Sequence, residues 1–228
     1  KAVEFLLDYH GGARQRRSPP PPPEPKETIP FALPPANADD RRVTAYLSKK
    51  RCIAPQVIRD FIAAGLLYEE ERYHNCVFVG KNGQGQAVYC AKRGTYDKNG
   101  AAFRAGVPGS DKETGFRLPC GPQSMRVFVF EAPIDLMSYR TLHRNVKDSA
   151  VALCGLYEGP LDSYLRDHPQ LRCIDLCLDA DGPGREAAAR LKRKYEAQGY
   201  AVSVHTPPRG KDWNEFLQIR QKCRGQER

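Results

Sequence analysis

The chain contains no Cys-x-x-Cys pair among its eight cysteines, so its 228 residues show no zinc knuckle. It has no apolar run near membrane-spanning length and no signal peptide, which argues against an anchored or secreted protein. Several cysteines sit inside apolar, strand-like runs, where a free thiol behaves as a small buried hydrophobe. A reduced cytoplasmic protein with no membrane partner is expected. Internal repeats are absent. So is any acidic surplus: 36 Lys and Arg stand against 27 Asp and Glu, leaving +9. That balance favours polyanion partners such as nucleic acid, though it says nothing about fold.

The charge is uneven. Residues 41–125 hold 14 basic and 7 acidic side chains, while residues 126–228 hold 17 and 14. The chain begins at Lys1 rather than Met and reads as a fragment of something longer. Residues 1–10 open with an amphipathic helix over 1–9, with Ala2, Phe5, Leu6 and Tyr9 on one face. Residues 11–40 lose periodicity, and five consecutive prolines at 19–23 make an extended linker. Residues 41–123 form a basic α+β unit. Asp39-Asp40 caps a helix running to Arg51, and Ala54-Pro55 starts another that Gly65 stops. Strands at 76–80 and 86–91 form a hairpin, with further strands at 101–105 and around 115–118.

From residue 124 the pattern becomes strand and helix in alternation. Strands are expected at 126–131, 149–154, 172–178 and 201–205, and helices at 134–144, 159–167, 184–198 and 212–223. The fold class is therefore α/β: a mostly parallel sheet with helices on both faces, preceded by the smaller α+β domain.

Three acidic clusters follow apolar runs in this second half. Glu131 closes Arg126-Val-Phe-Val-Phe130, with Asp135 four residues on. Asp179 and Asp181 follow Cys173-Ile-Asp-Leu-Cys-Leu178 and lead into Gly182-Pro183-Gly184. Asp212 sits in Gly210-Lys-Asp-Trp-Asn-Glu215, after Ala201-Val-Ser-Val-His205. Carboxylates at the C-terminal ends of neighbouring strands converge on one crevice, and converging hard oxygens suit Mg²⁺ and a phosphate substrate. Each cluster also has a plainer reading. The macrodipole accounts for Asp135 in a first helical turn, and Asp181 or Asp212 can serve as a helix N-cap. Glu131 and Asp179 have no such duty. Trp213 reads as a packing residue.

These residues resemble the Toprim domain of DnaG-type bacterial primases and topoisomerases. The matching pieces are Glu131 in Phe-Glu-Ala-Pro-Ile-Asp135, then Asp179-Ala-Asp-Gly182 and Gly210-Lys-Asp212. Residues 41–120 resemble the domain that precedes Toprim in primase-like proteins of conjugative transposons and plasmids, through Tyr46-Leu-x-x-x-Arg51, Gly65-Leu-Leu-Tyr68, Arg93-Gly94 and Gly109-Ser-Asp-Lys112. The helix at 2–9 resembles the tail of a CHC2-type zinc finger, whose ligands are not in this chain. Two features depart from the pattern. Ala132-Pro133 stands where primases have Gly, and Asn214 stands where replicative primases often have a second Asp.

The resemblance implies a Toprim-type Rossmann-like fold and metal-dependent nucleotidyl transfer, with RNA primers made on single-stranded DNA during replication or transfer of a mobile element. Asp179, Asp181 and Asp212 would hold Mg²⁺ or Mn²⁺. Glu131 would be general acid/base or a further ligand, and Asp135 would complete the acidic set. Lys211 and Arg185, with Gly182 and Gly184 at a helix start, would meet the phosphates of nucleoside triphosphates. Lys92, Arg93, Arg104, Lys112 and Arg117 would carry the template, with Tyr89 and Phe103 available to stack bases. A replicative helicase is a further partner the resemblance suggests. A Toprim nuclease and a non-catalytic DNA-binding accessory protein are the alternatives.

Overall fold

A computed structural model of the chain describes residues 29–98, 101–144 and 149–226. The helix expected over 1–9 and the prolines at 19–23 lie outside those residues. The linker's last residues do not run free. Ala36 bridges Glu70, the Glu71 N–H donates to the Pro35 carbonyl at 2.9 Å, and the Tyr68 hydroxyl donates to the Pro34 carbonyl at 2.6 Å. They cover a sheet edge that would otherwise be open.

Helix α1 (Arg41–Ala45) passes into a π-helical turn, Tyr46–Lys50. Its cap differs from the expected one. Asp39 accepts from the Arg41 N–H at 3.0 Å, but the Asp40 carboxylate turns away to the Glu69 N–H. Glu69 returns the favour, accepting from the Arg42 and Val43 N–H groups at 2.9 and 3.1 Å. The cap is borrowed from a distant strand, which no local spacing encodes. Helix α2 (Pro55–Ala63) has Pro55 in its first turn, buries Ile58 and Phe61, and stops at Gly65 with φ +62°.

Strands β1 (Leu67–Glu69), β2 (Cys76–Lys81), β3 (Ala87–Lys98) and β4 (Ala101–Gly106) make an antiparallel sheet in chain order. The hairpin between β2 and β3 turns as expected, with Asn82 Oδ1 accepting from the Gln84 and Gln86 N–H groups. Strand β1 was not foreseen, and β3 is longer than the sequence suggested.

The second sheet contains β5 (Phe116–Arg117), β6 (Arg126–Phe130), β7 (Ser149–Ala152), β8 (Cys173–Leu176) and β9 (Ala201–Val204), in the order β5-β7-β6-β8-β9. All its pairs are parallel except β5 with β7. Helices α3 (Pro133–Leu142), α4 (Gly159–Asp167), α5 (Gly182–Ala197) and α6 (Trp213–Gln226) connect or follow the strands. Alternation along β6 divides the core. Val127 and Val129 pack with residues of α4 and α5, while Phe128 and Phe130 pack with residues of α3 and α6. This is the expected α/β architecture preceded by a smaller α+β unit. Asp175 is buried within β8 beneath Arg126 and His205, whose Nε2 lies 2.6 Å from its carboxylate.

Strand β5 lies before residue 124 yet belongs to the second sheet. Its Phe116 ring meets Phe61 at 6.0 Å and Phe78 at 5.8 Å, so a single apolar cluster runs through both units. The sheets touch nearby without side chains between them. A Cβ on Gly80 would lie 1.9 Å from the Gly115 carbonyl oxygen, and Gly115 itself holds φ +56°.

Candidate functional site

Parallel strands present their C-terminal ends at one rim. Glu131 follows β6, and Asp179 and Asp181 follow the neighbouring β8. Asp212 is not on a strand end. It lies in the loop beyond β9, at the start of α6, and the Ala180 N–H donates to the Lys211 carbonyl at 2.7 Å, tying the two loops together.

Two of the acids cap helices. Asp181 Oδ1 accepts from the Gly184 N–H at 2.9 Å, and Asp212 Oδ1 accepts from the Glu215 N–H at 2.7 Å. Glu215 completes a box-like cap by accepting from the Lys211 N–H at 2.6 Å. Asp135 is buried and accepts from the Asn214 N–H at 3.1 Å. Among the described residues nothing donates to the Glu131 carboxylate.

The electrostatics show that the five acids share one field. Burial pushes the Glu131 carboxyl up to about 7, helped by Asp179 and Asp181 and opposed by Lys211 and Arg104. Asp179 rises to about 6, first through burial and then through Asp212. Burial, followed by Asp212 and Asp179, holds Asp135 well above the carboxylate range. Asp181 is held low, chiefly by the Gly184 N–H and then by Lys211. The Lys211 ammonium stands 3.6 Å from Asp179 and 3.1 Å from Asp181.

Among the described residues no three carboxylates, imidazoles or thiols stand close enough, as placed, to chelate an ion. Lys211 supplies the countercharge instead. The donor set still suits Mg²⁺ or Mn²⁺. Its oxygens are hard, and its neighbouring acids disfavour one another's ionisation, a cost that a divalent cation relieves.

Between this rim and the antiparallel sheet lies a cleft of about 380 Å³. Its lining takes Glu131, Asp135 and Asp212 from the second unit and Arg51, Lys92, Arg93 and Arg104 from the first. Arg93 Nε is buried and has no acceptor among the described residues, while Lys92 is paired with Glu70 at 3.1 Å. Thus two of the five cations expected to carry a template, Arg93 and Arg104, face the acids; Lys92 alternates with Arg93 along β3 and turns its ammonium to the other face of the sheet. Lys112 is exposed outside the cleft lining. Arg117 has other work: it is buried, donating from Nε to the Lys81 carbonyl and from Nη1 to Asp167 at 2.9 Å. Tyr89 lines the cleft but is buried, whereas Phe103 is half exposed beside Lys92.

At the helix start, Gly184 is demanded by packing, since a Cβ there would lie 2.2 Å from the Asp179 carbonyl oxygen; Gly182 has open space. Arg185 folds back onto the Ala180 carbonyl. Trp213 packs as expected and donates from Nε1 to the Cys177 carbonyl at 3.0 Å. The sequence reading gave no role to Arg51 or Cys154, both in the cleft lining. Arg51 ends the quoted Tyr46-to-Arg51 motif, and that was its only signal. No helix among the described residues is long and apolar enough to cross a membrane.

Comparison with known proteins agrees with this geometry. Residues 45–123 match a family described as a protein of unknown function (DUF3991), and residues 128–217 match a family described as Toprim-like. An uncharacterized protein of Bacillus anthracis is 28% identical over 223 residues, covering 90% of this chain. The chain spans only 62% of that relative's length. Among solved structures, the E. coli primase catalytic core matches with TM-score 0.55 at 17% identity, over 79% of this chain and 69% of the other. The DnaG primase catalytic domain bound to ssDNA matches with TM-score 0.54 at 16% identity, over 82% of this chain and 70% of the other. Residues 128–217 thus match the Toprim-like family, and together with the preceding antiparallel unit they adopt the fold of the DnaG-type primase catalytic cores.

Proposed function

We propose that the chain is a primase-like nucleotidyltransferase acting on single-stranded DNA. The observation that carries this reading is the cleft itself, where Arg93 and Arg104 of the antiparallel sheet and the carboxylates Glu131, Asp135 and Asp212 line one space. A polyanion needs the cations and phosphoryl chemistry needs the carboxylates. Asp179, Asp181 and Asp212 would hold Mg²⁺ or Mn²⁺, which would lower the charge on the reacting phosphate and favour ionisation of the attacking 3′-hydroxyl. Glu131, with its carboxyl near 7, can accept or return a proton at neutral pH. Arg93 and Arg104 offer guanidinium groups to strand or triphosphate oxygens.

The Lys211 contacts favour a second reading. A lysine that already neutralises Asp179 and Asp181 is what a DNA-binding accessory protein without chemistry would keep. Template-dependent incorporation of labelled ribonucleotides, with Glu131→Gln and Asp179→Asn as controls, separates the readings. Synthesis lost in both variants supports nucleotidyl transfer. Metal-dependent cleavage without synthesis would make the chain a nuclease. Strand binding indifferent to both substitutions, with no chemistry, leaves the accessory role.

A further inference from the structure

Asn214 is buried near the start of α6 and uses its whole amide. Nδ2 donates to the Arg51 carbonyl and to Ser138 Oγ, both at 2.9 Å. Oδ1 accepts from Arg51 Nη1 at 3.2 Å and from Gln218 Nε2 at 3.1 Å. An amide with two hydrogens given and two acceptances made has no lone pair left for an ion. Its backbone N–H, meanwhile, holds Asp135 Oδ1 at 3.1 Å.

Arg51 belongs to the other unit and arrives at the end of the π-helical turn. Its Nε donates to the Tyr46 hydroxyl at 2.8 Å, and its guanidinium stands 5.3 Å from the Tyr46 ring centroid. Gln218 secures the same turn by donating to the Lys50 carbonyl at 3.0 Å. Both Arg51 and Asn214 line the cleft. An aspartate at 214 would add a carboxylate beside buried Asp135 and set an oxygen against the Arg51 carbonyl, losing both donors.

We propose that Arg51 and Asn214 form a clasp between the two units that fixes the width of the cleft and holds Asp135 in place. Asn214 is a positioning residue and takes no part in holding a metal ion. The inference rests on the reading of the cleft as a strand-binding site, and its test separates the two.

The test measures affinity for a labelled oligonucleotide of about twelve nucleotides, Mn²⁺ binding by electron paramagnetic resonance, and exchange of the Asn214 amide hydrogen. Arg51→Ala and Asn214→Ala should each weaken oligonucleotide binding about 5-fold, and the double variant no more than the worse single one. Arg51→Lys keeps the charge but not the fork, and should behave like the alanine variant. Mn²⁺ affinity should stay within about twofold throughout, because the clasp supplies no ligand. Arg51→Ala should speed Asn214 amide exchange about tenfold or more. Asn214→Asp should lose oligonucleotide affinity and gain none for Mn²⁺.

Additive losses, or an Asn214→Asp variant that binds Mn²⁺ more tightly with strand binding intact, would overturn the clasp. If the unaltered protein binds no oligonucleotide, the strand-binding reading fails. The clasp is then decided by amide exchange and Mn²⁺ affinity, and unchanged exchange in Arg51→Ala overturns it.

Discussion

Glu69 and Glu131 stand near strand ends in the two sheets, and their surroundings are opposite. Glu69 is almost fully buried and has four partners: the Arg42 and Val43 N–H groups, the Asn37 amide and the His74 ring nitrogen. Glu131 is partly exposed, receives no donor among the described residues, and faces the charges of Asp179 and Asp181. The first is a brace that joins α1 to the antiparallel sheet. The second is left uncomfortable, and an acid kept so in a cleft is a candidate for chemistry. Burial alone would single out Glu69; the missing donors single out Glu131.

The largest expected effect bears on this contrast. Glu131→Gln and Asp179→Asn should each cut primer synthesis on the order of 10³-fold or more, with oligonucleotide affinity nearly unchanged. Glu69→Gln should keep the chemistry and lower unfolding free energy by about 1–3 kcal/mol, read by urea denaturation. Synthesis abolished by Glu69→Gln at unchanged stability would break the comparison.

A smaller effect separates the arginines. Arg93→Ala and Arg104→Ala should each weaken strand binding about fivefold and reduce the salt slope by about 1. Arg117→Ala should leave that slope alone and destabilise the fold, because it strands Asp167 and the Lys81 carbonyl.

The smallest effect is on pH. With Glu131 raised to about 7 and Asp179 to about 6, the metal-free folded protein keeps protons that the unfolded chain has already released. Stability should therefore fall as pH rises from about 4 to about 7. Glu131→Gln should make that slope shallower, and Mg²⁺ should flatten it. A slope unchanged by both, in denaturation series at about pH 5 and about pH 8, would remove Glu131 from the shared field.

The second sheet was far more legible than the first. Each of its parallel strands is a short apolar run with a helix to follow, and Pro133, Pro160 and Pro183 mark helix starts that the structure keeps. In the first sheet the organising contacts are remote. Glu69 caps a helix that precedes it in the chain, and β1 is only three residues long, with Glu70 and Glu71 after it. Arg117 looked like a free cation because its partner, Asp167, lies 50 residues away. Asp212 looked like a strand end because its loop follows an apolar run. Only the fold shows that it caps α6 while sharing the field of the rim.

The seam between Gly80 and Gly115 limits how the two sheets can move against each other. Backbone rests on backbone there, and Phe116 plugs the space alongside. Jaws hinged at that point would have to tear the joint, so the two sheets move as one block and whatever enters the cleft meets a gap already set by the backbone.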